Sequence, residues 1–289
     1  MIVTRLKGRL GNQMFQYAAG RALAERHRTD VVLDTSWMVQ FRRGGGFVRN
    51  DLEPFELGAP VCPVWEVARV PNPRGWVYAL QRLRPSRRRF VHIIEENSRT
   101  NAFVPEVLAA PDQTYLLGYW QFEDYFADQA AAIREAFSFP PAGAESAHLA
   151  EKIRGRQAVS LHVRRGDYTR HDLLGFLDAE YYRRAVETIA AAVADIHLFV
   201  FSDDPDWCKA ELRLPHPTTV VDRELPEERA WEDMQLISLC RHHVTSNSTF
   251  SWWGAWLNPS PTKVVVAPTT WTLHEKRLGD PIPADWVRV

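Results

Sequence analysis

The chain is poor in cysteine, has no excess of either charge and lacks long apolar runs. Its three cysteines, Cys62, Cys208 and Cys240, are an odd number, lie far apart and form no CxxC pair. A disulfide framework and a thiolate zinc site are therefore not expected, and the usage suits a reducing compartment. With 35 Lys+Arg against 36 Asp+Glu the formal net charge is −1. There is thus no basic excess for nucleic acid and no acidic tail. No run of about 18 apolar residues occurs, and the opening MIVTRLKGRLGNQ holds no apolar signal core, so the reading is a cytoplasmic chain without a membrane span. Fifteen Gly and 19 Pro among 289 residues are too few for a low-complexity or fibrous chain. HExxH, GxSxG, GxGxxG, GxxxxGKS/T and EF-hand patterns are all missing, as is a Cys–His pair at nucleophile spacing. The one adjacent histidine pair, His242-His243, sits at a strand start, where neighbours face apart, so no zinc site is expected there.

What is present reads as two α/β layers. The opening is a strand (1–6), a loop (7–12), a helix (13–28) and a second strand (31–33). Residues 40–110 are rich in Arg, Pro and Gly and carry no clear period. A strand (114–117) and a helix (124–137) follow. Pro140, Pro141, Gly143 and Ser146 mark a linker. Beyond it strands and helices alternate regularly: strands at 158–163, 197–202, 218–221, 243–245 and 263–267, with helices at 179–194, 205–212, 230–241 and 249–257. Such alternation predicts a doubly wound parallel sheet. The expected domains are 1–145 and 146–289. Ligands of such sheets sit beyond the carboxyl ends of the strands, and every chemical motif of this chain lies at such an end.

His162-Val163-Arg164-Arg165-Gly166-Asp167-Tyr168 leaves the 158–163 strand. Arginine offers a rigid fork matched to phosphate oxygens. In extended backbone His162 and Arg164 share a face and Arg165 takes the other. Arg164 is thus the expected diphosphate clamp and Arg165 an ion-pair former behind it. Asp167 could orient an arginine or accept a hydroxyl proton. The Arg-Gly-Asp tripeptide carries no adhesion meaning in a cytoplasmic chain. The second motif is Ser246-Asn247-Ser248-Thr249-Phe250-Ser251-Trp252-Trp253-Gly254-Ala255-Trp256, a hydroxyl-rich helix start with free N–H donors suited to an anion; its tryptophans read as packing. Gly8 and Gly11, around Arg9 and Asn12, allow close backbone approach to a ligand. Asp203 and Asp204 end another strand and could meet ribose hydroxyls, a metal or an arginine; they are adjacent, unlike the spaced acids of a DxD metal site. Asp233, in the first turn of a helix, could read a base edge or simply favour the helix dipole. Trp120, Gln121, Glu123 and Asp124 mix aromatic and polar groups as a sugar-binding rim does, and equally as a packed hinge does.

Four segments taken together resemble the bacterial α-1,2-fucosyltransferases: Gly11-Asn12-Gln13-Met14-Phe15-Gln16-Tyr17, Gly118-Tyr119-Trp120-Gln121, the His162–Tyr168 run and the Ser246–Asn258 run. They span residues 8 to 258 in the family's order. The resemblance implies two facing Rossmann-like lobes of the GT-B type, the carboxyl-terminal one holding a GDP-sugar and the other receiving the acceptor. It implies inverting transfer of L-fucose from GDP-β-L-fucose to O2 of galactose without a required metal or other cofactor. The donor-binding candidates are Gly11, Asn12, His162, Arg164, Arg165, Asp203, Asp233, Asn247, Ser248, Thr249 and Phe250; the resemblance implies all but Arg165, Asp203 and Asn247, with Arg164 on the β-phosphate and His162 and Asp233 near guanine. Arg164 and Asp167 are the catalytic candidates; Trp120, Gln121, Glu123 and Asp124 are the acceptor-side ones. Arg9 stands where the family often has a second glycine. A galactose-ended or lipid-linked glycan is the expected acceptor, in surface polysaccharide or lipopolysaccharide synthesis. Between Glu66 and Glu95 the chain has seven arginines and no acid; of these Arg82, Arg84, Arg87, Arg88 and Arg89 could touch an anionic membrane face. The competing readings are another fucosyl linkage (α-1,6 or O-linked) and a non-catalytic glycan or sugar-nucleotide binder.

Overall fold

The computed structural model describes residues 1–38, 49–62, 92–97, 100–166, 177–272 and 280–289. Among them two compact units are distinguished, Met1–Ser138 and the chain from Phe139 onward. The division falls just ahead of the Pro140–Ser146 stretch read as a linker. Part of that stretch is helical, from Ala144 onward.

In the first unit, strand β1 (Ile2–Arg5) leads to helix α1 (Leu10–His27), followed by β2 (Val31–Asp34), β3 (Val61–Cys62), β4 (His92–Glu95), β5 (Thr114–Leu117) and a short helix α2 (Ala130–Ala136). The sheet is parallel throughout, in the order β3-β2-β1-β5-β4. Strands buried on both faces must be continuously apolar, and Ile2, Val3 and Val31–Leu33 are. Helix α1 lies close on this sheet at Gly20, where a Cβ would come within 3.1–3.2 Å of Thr4 and Val31 side-chain carbons. The helix starts at Leu10, earlier than the apolar stripe predicts. Gln13 and Gln16 are fully buried and bond backward to the loop: Gln13 Nε2 donates to Gly8 O (3.0 Å), and Lys7 N donates to Gln16 Oε1 (2.9 Å). The single helix expected over 124–137 is instead two 3₁₀ turns, Glu123–Tyr125 and Ala127–Gln129, running into α2. Tyr125 and Phe126 are both fully buried, and Phe126 takes φ −139 to place them, which interrupts the helix.

The second unit runs α3 (Ala144–Arg154), β6 (Gln157–Val163), α4 (Ala179–Ala190), β7 (Ile196–Ser202), α5 (Pro205–Glu211), β8 (Thr218–Val221), α6 (Trp231–Leu239), β9 (His242–Val244), α7 (Thr249–Leu257), β10 (Val265–Ala267) and β11 (Val287–Arg288). Its parallel sheet has the order β11-β10-β9-β6-β7-β8. Counted within the unit, that is 6-5-4-1-2-3, the strand order of dinucleotide-binding sheets. The order reverses between β6 and β9. Helix α4 buries Tyr181, Tyr182, Ala185, Val186 and Ile189, a helical stripe, and is capped by Asp178, whose side chain accepts from Tyr181 N (2.9 Å). Helices α6 and α7 meet at Gly254, where a Cβ would stand 2.4 Å from Ile237 Cγ2. The tryptophans of α7 are core: Trp252 and Trp253 are fully buried, and Trp252 Nε1 donates to Pro281 O (2.8 Å). No helix among the described residues is long and apolar enough to cross a membrane. The arginine cluster of residues 69–89 lies outside the described residues.

Candidate active site

The arginine motif and the hydroxyl-rich motif leave the sheet of the second unit side by side, from the carboxyl ends of β6 and β9. That pair flanks the reversal of strand order, where an open parallel sheet leaves room for a ligand. His162, the last residue but one of β6, bridges the two: its Nδ1 lies 2.8 Å from Ser246 Oγ. The ring is 7% exposed and lies 5.6 Å from the Phe250 ring. Burial and the neighbouring Arg164 pull its pKa down to about 3, so the imidazole is neutral and acts as a fixed hydrogen-bonding group rather than a charge.

Arg164 is held by Asp203. Arg164 Nη1 lies 3.1 Å from Asp203 Oδ2, and the same carboxylate accepts from Arg165 N (2.9 Å) and Gly166 N (3.1 Å). A Cβ on Gly166 would stand 2.9 Å from Asp203 Oδ2, so glycine is what lets the loop close over the acid. Asp203 thus serves an arginine and two amides. Of the three partners weighed from sequence it takes the arginine, and no geometry here assigns it to ribose. Arg165 turns away: it stacks 3.9 Å over the Trp207 ring and reaches Asp204, which also caps α5. Arg165 is thus a strut between the loop and α5, the ion-pair role that backbone alternation predicts for it. Asp167 falls among residues 167–176, outside the described ones.

Ser248 caps α7 and accepts from Phe250 N (3.4 Å), and the first turn of the helix holds no acid. Asn247 and Ser248 are buried, while Thr249 and Phe250 are half-buried at the rim. The helix N-terminus carries partial positive charge. At its other end, Lys263 Nζ donates to Ala255 O (2.8 Å) and Asn258 O (2.7 Å), placing a cation at the negative pole. Asp233, in the first turn of α6, is 2.5 Å from Arg223 Nη2. Burial raises its carboxyl and Arg223 draws it back. Any base edge it reads would be read by a carboxylate already oriented by that arginine. Among the described residues no group of three or more His, Cys, Asp or Glu is placed to hold a metal ion.

In the first unit the order reverses between β1 and β5, and the loops leaving these strands also meet. Gln121 Nε2 donates to Asn12 Oδ1 (2.8 Å). Gly8 has φ +77, a conformation that favours glycine, and a Cβ there would stand 2.5 Å from Asn12 Nδ2. Gly11 lies in the buried first turn of α1, beside Asn12. Trp120 corrects one expectation: it is fully buried, edge-on to Tyr125 at 5.7 Å between centroids, and offers no face to a sugar. Gly118 makes room for it, since a Cβ there would lie 2.6 Å from Trp120 Cε2. Glu123 is half-buried, with Arg134 feeling its charge, and Asp124 is exposed.

Four residues with a part in these sites escaped the sequence reading. Tyr181 Oη donates to Thr245 O (2.5 Å), fixing the residue that precedes the Ser246 loop. Tyr182, fully buried beside it, lies near Arg164, Arg165 and Asp203. Two consecutive buried tyrosines just after a capping Asp were the available signal. Arg223 stands past the end of β8, at the same carboxyl edge as the other motifs. Lys7 directly precedes Gly8 and read as part of the loop.

Comparison with known proteins follows the same lines. The model of the family described as glycosyl transferase family 11 matches residues 96–288. An α-1,2-colitosyltransferase of Escherichia coli is 31% identical over 100% of this chain and 99% of its own length. WbnK, an O-antigen biosynthesis glycosyltransferase of the same organism, is 28% identical over 92% and 93%. Human galactoside α-(1,2)-fucosyltransferase 1 is 29% identical over 36% of this chain and 30% of its own. The crystal structure of the α-1,6-fucosyltransferase NodZ soaked with GDP-fucose superposes with a TM-score of 0.51, at 15% identity, over 89% of this chain and 92% of that one. The likeness shows a shared fold.

Proposed function

The chain belongs to glycosyl transferase family 11, and from that membership we propose that it moves L-fucose from GDP-β-L-fucose to the 2-hydroxyl of a galactose residue. The observation that carries the reading is the meeting of Arg164, held by Asp203, with the Ser248-capped start of α7 at the point where the order of a dinucleotide-type sheet reverses. Arg164 and the α7 amides hold the diphosphate. His162, neutral and tied to Ser246, and Asp233, oriented by Arg223, line the nucleoside side. The galactose oxygen attacks the anomeric carbon with inversion, the bond from that carbon to the β-phosphate oxygen breaks, and its electron pair leaves with GDP. The hydroxyl proton passes to a base or to water; Asp167, Glu123 and Asp124 are the candidates from sequence. Negative charge grows on the departing phosphate, and donors already aimed there stabilise it without reorganising, commonly the largest contribution in such sites. Because Asp203 and Asp204 are engaged by Arg164 and Arg165, the reading needs no metal.

The 31% identity to an α-1,2-colitosyltransferase favours a second donor for the same site, GDP-L-colitose, whose sugar is fucose without the 3-hydroxyl. The acceptor side of both readings is a glycan of the O-antigen kind, as the name of the WbnK relative suggests. Membrane contact through Arg82–Arg89 and a cytoplasmic location belong to the same proposal. One assay tests it: GDP-fucose and GDP-colitose in parallel, with EDTA, a panel of galactose-ended acceptors, and linkage determination by NMR. Fucose on O2 of galactose is the expected product. Transfer of colitose alone reassigns the donor; an α-1,6 product reassigns the linkage; GDP binding without any transfer leaves a binding module.

A further inference from the structure

The first unit carries a cation that the donor site does not use. Lys7 follows β1 at the carboxyl edge of the sheet, beside the β1–β5 reversal of strand order. Its ammonium lies 4.1 Å from the centre of the Tyr119 ring. Both its backbone groups are taken by Gln16: Lys7 N donates to Oε1 (2.9 Å), and Gln16 Nε2 donates to Lys7 O (3.3 Å). The Lys7 backbone is thereby fixed in position. Among the described residues the ammonium has no hydrogen-bond acceptor and no carboxylate within ion-pair distance. Burial, with the neighbouring Arg5 charge, lowers its pKa although Glu96 and Glu95 act to raise it. Three N–H donors are thus held, partly dehydrated, at the place where an open parallel sheet receives ligands.

The neighbours narrow the class of ligand. Glu96 is 4% exposed and accepts from Tyr119 N (2.6 Å). Its charge and that of Glu95 would repel a phosphate or carboxylate brought to Lys7. Gln121, whose Nε2 donates to Asn12 Oδ1 at 2.8 Å, adds an amide. Donors, an amide group and an aromatic ring, without a net positive charge, match a neutral pyranose, which offers hydroxyl oxygens as acceptors and an apolar C–H face.

We propose that Lys7, with Tyr119 and Gln121, forms a subsite for the acceptor sugar and that the Lys7 ammonium donates to one of its hydroxyls. The inference rests on the glycosyl-transfer reading above and extends it to residues that no comparison assigns. It makes Lys7 a specificity-determining residue: acceptor recognition depends on it and donor recognition does not.

The test is binding, so it does not depend on turnover. Lactose, N-acetyllactosamine and methyl β-galactoside are titrated into the full chain by saturation-transfer NMR, and GDP by calorimetry. The proteins are the wild type, Lys7→Met and Tyr119→Leu. Methionine keeps the length of the stem and removes a partly dehydrated charge, so folding is not expected to suffer; Tyr119→Leu keeps the charge and removes the ring beneath it. Lys7→Met should weaken galactoside binding roughly tenfold or more, the worth of one charge-assisted hydrogen bond. Tyr119→Leu should give a smaller loss, with GDP affinity kept within about twofold in both, since the proposed donor contacts come from other residues. Unchanged galactoside affinity in Lys7→Met overturns the subsite, and so does an equal loss of GDP affinity. Wild type that binds GDP but no galactoside overturns the subsite and leaves the donor reading intact; wild type that binds neither overturns both.

Discussion

Arg164→Ala should weaken GDP binding close to a hundredfold and leave GMP binding within about twofold. Two effects act in the same direction. The guanidinium's bond to the second phosphate is charge-assisted, worth roughly 1.5–3 kcal/mol. The side chain is 36% exposed and already shared with Asp203, so water and the acid screen it and the lower end, about 1.5 kcal/mol, applies. Removing the arginine also strips Asp203 of its counter-ion. The Asp203 carboxylate, 24% exposed and normally 3.1 Å from Nη1, then faces the phosphate directly. Like charges about 7 Å apart near a surface repel by roughly 1 kcal/mol at an effective dielectric of about 40. At 1.4 kcal/mol per tenfold, the two effects approach a hundredfold. The second can be switched off separately. In Arg164→Ala/Asp203→Asn the repulsion goes, while the asparagine oxygen can still accept from Arg165 N, 2.9 Å away in the intact protein. The double variant should therefore bind GDP better than Arg164→Ala, with a loss of about tenfold. Calorimetry of the two single variants, the double variant and the wild type, each with GDP and with GMP at low salt, decides it. If GMP binding falls in step with GDP binding, Arg164 does not contact the second phosphate. If the double variant binds more weakly than Arg164→Ala, Asp203 supports the loop and the repulsion argument is wrong.

Other consequences can be measured independently. Gly254→Ala places a Cβ 2.4 Å from Ile237 Cγ2 and should cost about 1–3 kcal/mol by forcing α6 and α7 apart; an unchanged thermal midpoint would contradict this packing. Tyr181→Phe leaves the buried Thr245 carbonyl without its hydroxyl donor. It should cost roughly 1–3 kcal/mol and loosen the Ser246 loop, read as a lower melting temperature together with weaker GDP binding. Acid should destabilise the protein through its buried histidines. His162 is pulled down to about 3 in the fold against about 6.5 unfolded, and burial lowers His243 in the same sense. Unfolding therefore takes up protons below about pH 6.5, and the stability present above that pH is lost as pH falls toward 3, at about 1.4 kcal/mol per pH unit for each such group. Denaturant titrations between pH 5 and 7 should show this slope, and His162→Gln should make it shallower; an identical slope in the variant would rule out His162 as a contributor.

Much of the second unit was legible in the chain because its signals are local. Strand β6 and helix α4 announce themselves by apolar run and by helical stripe, and both conform. The same holds for the Ser248 cap and for an arginine at the end of a strand, since capping and backbone alternation depend only on near neighbours. Less was legible where a residue's role depends on a distant partner. Trp120 beside Gln121 and Glu123 reads as a sugar-binding rim, yet Gly118 and Tyr125 draw it wholly inside. Helix α3 was missed because the prolines and glycine ahead of it hid its start.

The sequence by itself determined the family, the alternation of strands and helices, and which motifs stand at strand ends, because each is carried by residue type and short-range order. Only the tertiary structure decided what those motifs do to one another. Asp203 lies far along the chain from Arg164, yet parallel pairing of β6 with β7 brings the two strand ends together, so the acid holds the arginine. Pairing of β6 with β9 likewise sets His162 against Ser246. Lys7 reaches Tyr119 because β1 pairs with β5. In a parallel sheet strand order, not sequence distance, chooses neighbours, and that order is set by the packing of the whole layer.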